Sequence, residues 1–229
     1  VLSATNLTFT VTDAGTSYTM TDVSDTTNLN FTFSGDESIT VATVGVGTGS
    51  ASLTSTAGSI LDDASNATAI TAGALTLTAG GAAGSVGLTG ANNEIDTTAT
   101  SLTASAGTGG VFVTDSNALT LTSVTSSGTV VIKAATADLT VATIAAGTQA
   151  VTLEATAGSI LDDASNATVI TAGSVSLSAA AATGAIGATG ANNEIDTTTT
   201  SLTLNTGTNL FVANTGDLAT LSITSTQAG

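Results

Sequence analysis

Apolar and polar residues alternate in short bursts along this chain. Ser101-Leu102-Thr103, Ala118-Leu119-Thr120-Leu121-Thr122, Ser174-Val175-Ser176-Leu177-Ser178 and Ser201-Leu202-Thr203-Leu204-Asn205 each place an apolar side chain at every second position, with small or hydroxyl-bearing residues between. A period of two is that of a strand with one buried face. The Val, Ile and Thr that fill these bursts suit a pleated surface. From residue 102 to residue 220 the clusters recur about every nine residues, the spacing of many short strands joined by turns. No segment combines a 3.6-residue period with end caps. The stretch AGSILDDASNAT allows one short helical turn capped by Ser65, although Ser, Asn and Thr disfavour it.

The chain also repeats itself. Residues 56–68 and 156–168 both read TAGSILDDASNAT, ITAG occurs at 70–73 and 170–173, and TGANNEIDTT occurs at 89–98 and 189–198. The offset is 100 throughout, slipping by one near Phe112 and Phe211. The pattern divides the chain into degenerate N-terminal coils at 1–37, a first block at 38–137 and a second at 138–229. Short strands at this spacing fit a sandwich, an antiparallel barrel or a coiled solenoid. Near-identical blocks at a fixed offset favour the solenoid, where each coil touches only its neighbours. If the copies stack in register, a block holds a whole number of coils. Five coils of ~20 residues divide it evenly, and the whole chain then makes ~11 coils in a single rod ~50 Å long. Ile60, Ile160, Ile70, Ile170, Ile95, Ile195, Leu102 and Leu202 are expected to point inward. The corners Ala91-Asn92-Asn93 and Ala191-Asn192-Asn193 suit left-handed backbone.

Composition narrows the function. Among 229 residues there are 17 acidic side chains, one basic one (Lys133), and no Cys, His, Pro or Trp, for a net charge of -16. Without Cys or His there is no thiolate or imidazole chemistry. With one Lys and no Arg there is no cationic surface for nucleic acid. No apolar run is long enough for a membrane-spanning helix. The chain begins at Val1 without a signal peptide, as a mature product or a piece of something longer would.

The phrases GSILDDASNATVITAGSVSLSA, GAIGATGANNEIDT and SLTLNTGTNLFVANTGDLATLSIT resemble the repeat regions of filamentous-haemagglutinin-like bacterial exoproteins, large secreted adhesins often exported by two-partner secretion. The likeness covers roughly residues 38–229. It implies an all-β, right-handed parallel β-helix at the bacterial cell surface, and it supplies no catalytic residues.

Two acidic corners recur: Asp62-Asp63 as Asp162-Asp163, and Glu94 with Asp96 as Glu194 with Asp196. These eight residues are the candidate oxygen ligands for Ca²⁺, which takes six to eight oxygens. The plainer reading makes them turn formers that keep a rod soluble. Neither a D-x-D-x-D-G loop nor a GGxGxD repeat accompanies them, which leaves weak cation screening as the expectation. Paired carboxylates also suggest a polysaccharide-processing enzyme, but the aromatic platforms and basic residues such a groove uses are missing. Thr-x-Thr runs such as Thr8-Phe9-Thr10 and Thr76-Leu77-Thr78 raise the idea of a flat ice-binding array, yet Thr and Ser alternate and scatter along the sequence. Asn66-Ala67-Thr68 and Asn166-Ala167-Thr168 are glycosylation sequons of the kind expected by chance. Lys133 reads as a solitary exposed charge.

The expectation is therefore a non-enzymatic structural shaft of a large extracellular adhesin or exoprotein, a stiff anionic rod for attachment or coating. Its partners would be neighbouring coils of the same longer chain, end-to-end copies, or a host or neighbouring cell surface. A self-assembling filament or surface-layer subunit is the first alternative, and a β-helix enzyme the second.

Overall fold

The computed structural model describes residues 4–12, 17–24, 26–35, 37–65, 70–90, 92–165, 169–190 and 192–226. Its regular structure is 23 β-strands, with no helix among the described residues. The two sequons and the corner residues Ala91 and Ala191 lie outside the described residues. Where a helical turn was open, Ile60–Asp62 is instead a strand.

Every strand pairing is parallel, and each links a strand to one roughly a coil away in the chain. Asn28 sits beside both Asn6 and Ser50, and Leu102 beside both Leu75 and Leu121. The fold is a β-solenoid of about 9 turns with about 22 residues per coil. The expected ~20 residues and ~11 coils were too small and too many because coil length varies. Leu119 pairs with Leu139 after only 20 residues. Ile70 pairs with Thr97 after 27, because extra residues stand between Val86 and Ile95 in that coil.

Each coil has two walls. One wall begins with straight strands, Ala4–Val11, Thr26–Phe33, Ser50–Ser55 and the second half of Ile70–Ala79. The other begins bent into pairs of short strands, such as Ile39–Val41 with Val44–Gly45 and Ile60–Asp62 with residues 70–71. Beyond Ala106 the roles exchange. The second wall straightens into Gly110–Asp115, Val130–Ala134, Ala150–Ala155, Ser174–Ala179, Ser201–Thr206 and Thr220–Ser225. The first wall bends into Leu139–Val141 with Ile144–Ala145, then Ile160–Asp162 with Ile170–Thr171.

This exchange overturns the expectation that a block holds a whole number of coils. Along one wall Ile39 is followed by Ile60, Val86, Val111 and Val130, four coil steps. Leu139 lies half a coil beyond Val130, on the other wall, paired with Leu119 and Ile160. One hundred residues thus make four and a half coils, and equivalent residues of the two blocks sit on opposite sides of the rod. Two walls of similar depth allow this, since the same inward pattern serves on either one. The axial offset is about 22 Å at ~4.8 Å per coil.

The core is a narrow double row of aliphatic side chains. Ile60, Ile160, Ile70, Ile170, Ile95 and Ile195 are fully buried, and Leu102 and Leu202 nearly so, as expected. Each such residue contributes roughly 1.5–3 kcal/mol of burial, and each stacks on a like residue: Leu53 lies between Phe31 and Leu77, and Leu153 between Ile132 and Leu177. Period-two alternation sends the intervening Ser and Thr outward. The Thr residues that look scattered in sequence fall into rank on the straight wall, where Thr10, Thr32, Thr54 and Thr78 stack coil upon coil, followed by Ser105 and Thr125. Unequal coil lengths hide that column from a reading along the chain.

Candidate functional site

The acidic corners form where the bent wall throws out its inserted loops. Ile60–Asp62 pairs with Ile39–Val41, so Asp62 lies beside Val41 at the end of its strand. The chain then turns through Ala64 at φ 63°, with the Ser65 amide donating to Asp62 Oδ1 (3.2 Å) and to Asp63 Oδ1 (3.2 Å). Ala64 holds a left-handed conformation that an Asp-capped turn makes tolerable. In the second copy Ala164 has φ 64° and the Ser165 amide donates to Asp163 Oδ1 at 3.1 Å.

One coil on, the second loop leaves the wall through Gly87 at φ 67° and is closed by the Leu88 amide donating to the Asn93 carbonyl at 2.8 Å. Asn92 takes φ 66° and Asn192 φ 65°, as the Asn-rich corners suggested. Glu94 Oε2 accepts from the Asn93 amide (3.2 Å), and Glu194 repeats the contact with Asn193 (3.2 Å). Asp96 follows on the returning strand, paired with Thr114 and only 8% exposed.

The coil brings Asp62 and Asp96 together from sequence positions far apart. Burial, then Asp63, then Asp96 push the Asp62 carboxyl from 3.8 up to about 6. Burial and then Glu94 push Asp96 up to about 6 as well. Asp62 Oδ2 and Asp96 Oδ2 are buried without hydrogen-bond partners. In the second copy both Asp162 oxygens are in the same state. Burial, with Asp163 and then Asp196 as the charged neighbours, raises Asp162 to about 6, while burial and Glu194 raise Asp196. A buried carboxylate oxygen with no donor favours its protonated form.

Calcium would ask for more. Among the described residues no three acidic side chains converge on a centre that could hold a metal ion. Asp63 and Asp163 are engaged in their turns, and Glu94 and Glu194 with the backbone beside them. Asp63, Asp163, Glu94 and Glu194 thus serve in turns, while the coil sets the Asp62 carboxyl within reach of the charge of Asp96 and that of Asp162 within reach of Asp196. No protein-family model matches the chain, and no curated protein or solved structure shows significant similarity to it.

Three features escaped the sequence reading. Residues 88–90 and Glu94 fold onto the neighbouring wall beside the outward-facing Phe112, leaving a cavity of about 430 Å³ lined by Leu88, Glu94, Phe112, Val131, Lys133 and Glu154. Its half-turn mate, lined by Thr189, Glu194 and Phe211, lies on the opposite side. Lys133 is not solitary: it lies beside Glu154 in the ladder and forms an ion pair at 3.4 Å.

The third feature is Asp115, which points inward and is fully buried. Its Oδ2 accepts from Thr97 Oγ1 (2.6 Å) and the Ala99 amide (2.8 Å), and its Oδ1 accepts from the Asn117 amide (2.7 Å). Burial raises its pKa and the three donors oppose the rise. Alternation along Val111-Phe112-Val113-Thr114-Asp115 already assigns position 115 to the inward set, so the signal was present. At the equivalent site Asn214 Oδ1 accepts from Thr197 Oγ1 (2.9 Å) and the Thr199 amide (3.1 Å).

Proposed function

We propose that this chain is a length of shaft from a large secreted or cell-surface bacterial protein of the adhesin type. The observation that supports this reading is the unbroken ladder: all 23 strands, from Ala4 to Ser225, belong to one parallel stack. A stack of this kind is stiff along its axis, because each coil is hydrogen-bonded to the coils on either side. It also resists proteases, since cleavage needs local opening of a fully paired backbone. The charge of -16 keeps neighbouring rods apart and in solution.

The chain is read as non-catalytic. Asp63 and Asp163, and Glu94 and Glu194, recur in the same turn-forming roles, and its single Lys is held by Glu154. The sequence phrases that resemble filamentous-haemagglutinin-like repeats support an extracellular setting. Antibodies raised against the purified chain should label intact source cells as strongly as permeabilised ones. Labelling that requires permeabilisation would overturn the assignment to the surface.

A further inference from the structure

We propose that the cavity between Leu88, Glu94 and the wall at Phe112 and Val131 is a binding site for a small organic cation, a primary ammonium carried on an apolar body. The inference rests on the solenoid fold and on this cavity, and it goes beyond the shaft reading. The cavity interrupts the pattern of the outward face. Phe112 pairs with Val131, Val131 with Thr152 and Thr152 with Ser176. The two later positions of this outward column carry hydroxyls, whereas the two earlier ones carry hydrocarbon. Phe112 is only 6% exposed, yet it stands outside the aliphatic core of the rod. Leu88 lines the same cavity and is 46% exposed. Apolar surface held open to water in this way gains by being covered.

Charge decides what kind of molecule covers it. The charged side chains that line the cavity are Glu94, Lys133 and Glu154. Lys133 and Glu154 pair at 3.4 Å and offset each other. Glu94 is left as the uncompensated charge. Its Oε2 accepts from the Asn93 amide at 3.2 Å, and a carboxylate has room for further donors. An anion is disfavoured twice, by Glu94 and by the net charge of -16, whose field gathers cations and repels anions. A neutral sugar fits less well, because Phe112 is too covered to offer an open ring face for stacking.

Two parallel outward columns form the floor, Phe112–Val131–Thr152 and Thr114–Lys133–Glu154. The apolar body of the ligand lies along Leu88, Phe112 and Val131, and its ammonium donates to Glu94. A volume of about 430 Å³ with apolar walls and a few fixed polar groups is that of a small-molecule site.

The test is an NMR titration of the isotope-labelled chain at neutral pH and ~0.05 M salt, read at the backbone amides of residues 88–90, 112–114 and 131–133. The probes are phenylbutylamine, phenylbutanol and phenylbutyrate, which share an apolar body and differ in charge. The amine should shift these amides and saturate. The alcohol should bind about tenfold more weakly, the loss expected for one charged hydrogen bond, and the anion should not bind. Glu94→Gln keeps an acceptor for the Asn93 amide and should lower the affinity for the amine to that for the alcohol. Leu88→Ser should weaken amine and alcohol alike. Glu194→Gln alters the equivalent turn of the second block and should leave the titration of this cavity unchanged, which separates loss of the site from loss of a turn. Amine shifts spread over every acidic corner without saturating would mean screening of the net charge and would overturn the proposal. An alcohol that binds as tightly as the amine would also overturn it, as would an unchanged affinity in Glu94→Gln, or saturation of these amides by methyl glucoside in place of the amine. Each of these results leaves the shaft reading standing, since surface labelling tests that separately.

Discussion

Ile60 and Ile160 occupy the same place in two identical stretches of sequence, yet they stand on opposite walls of the rod. Ile60 lies between Ile39 and Val86, and Ile160 between Leu139 and Ile186. Both are fully buried. The half-turn relation means that the same sequence meets the same surroundings after four and a half coils, so the two copies should respond alike to the same change.

Leu53→Ala and Leu153→Ala test this equivalence. Both leucines are fully buried in straight-wall columns. Each substitution should cost about 2–4 kcal/mol, and the two costs should agree within about 1 kcal/mol, allowing for Phe31 above one and Ile132 above the other. Hydrogen exchange on the flanking coils is the suitable readout, because a solenoid need not unfold in one step.

The pH dependence should run opposite to that of most acidic proteins. Asp62, Asp96 and Asp162 have folded values of about 6 against 3.8. Between those values the folded chain binds more protons than the unfolded one, so stability falls as pH rises through that window and levels off above it. The melting temperature should therefore be higher near pH 4.5 than at pH 7.5. Asp62→Asn with Asp162→Asn should raise it at pH 7.5 and flatten the profile. A melting temperature that climbs with pH would show that these carboxyls are stabilised as anions instead.

Much of this was legible along the chain, and the remainder was hidden for identifiable reasons. Period-two alternation at Leu102, Leu119, Val175 and Leu202 named strands and inward residues correctly, because parity is a local property. The duplicated blocks pointed to a solenoid, because only a stack tolerates them so simply. What the offset of 100 could not reveal was its relation to the coil. The residues inserted between Asp62 and Ile70 and between Val86 and Ile95 lengthen two coils and shift the count to a half-integer. The same irregularity hid the Thr10–Thr32–Thr54–Thr78 column and the meeting of Asp62 with Asp96, both of which depend on unequal coil lengths. Asp115 was overlooked for another reason: its inward parity conflicts with its charge, and only the donors from Thr97, Ala99 and Asn117 resolve the conflict.

Asp115→Ala removes the acceptor for three buried or half-buried donors and should cost roughly 3 kcal/mol or more. Asp115→Asn should cost less than half of that, because Asn214 already serves the equivalent site with its amide oxygen on Thr197 and Thr199. Denaturant melts of the two variants beside the native chain decide this. Equal losses would mean that the charge itself, and not the acceptor geometry, is what position 115 requires.

Two glycines with the same backbone sign should separate strain from collision. Gly47 has φ 60° and open space where a Cβ would stand, so Gly47→Ala should cost about 1–2 kcal/mol from the left-handed conformation alone. Gly87 has φ 67°, and a Cβ there would overlap the Phe112 carbonyl oxygen. Gly87→Ala should add a further ~1–3 kcal/mol of overpacking and expose Phe112 as the loop lifts. Melting temperatures together with hydrogen exchange at residues 110–115 give the comparison.

The most direct test of the winding itself is oxidation of paired cysteines, which the absence of native Cys makes clean. Thr54 and Thr78 are adjacent in neighbouring coils, at a separation of ~4.8 Å that suits a disulfide. Thr54 and Glu154 are equivalent in sequence but lie on opposite walls, about 22 Å apart along the axis. Thr54→Cys with Thr78→Cys should form an intramolecular disulfide rapidly and without loss of stability. Thr54→Cys with Glu154→Cys should form none. An intramolecular bridge in the second pair, or failure of the first in a folded chain, would contradict the solenoid with its half-turn repeat.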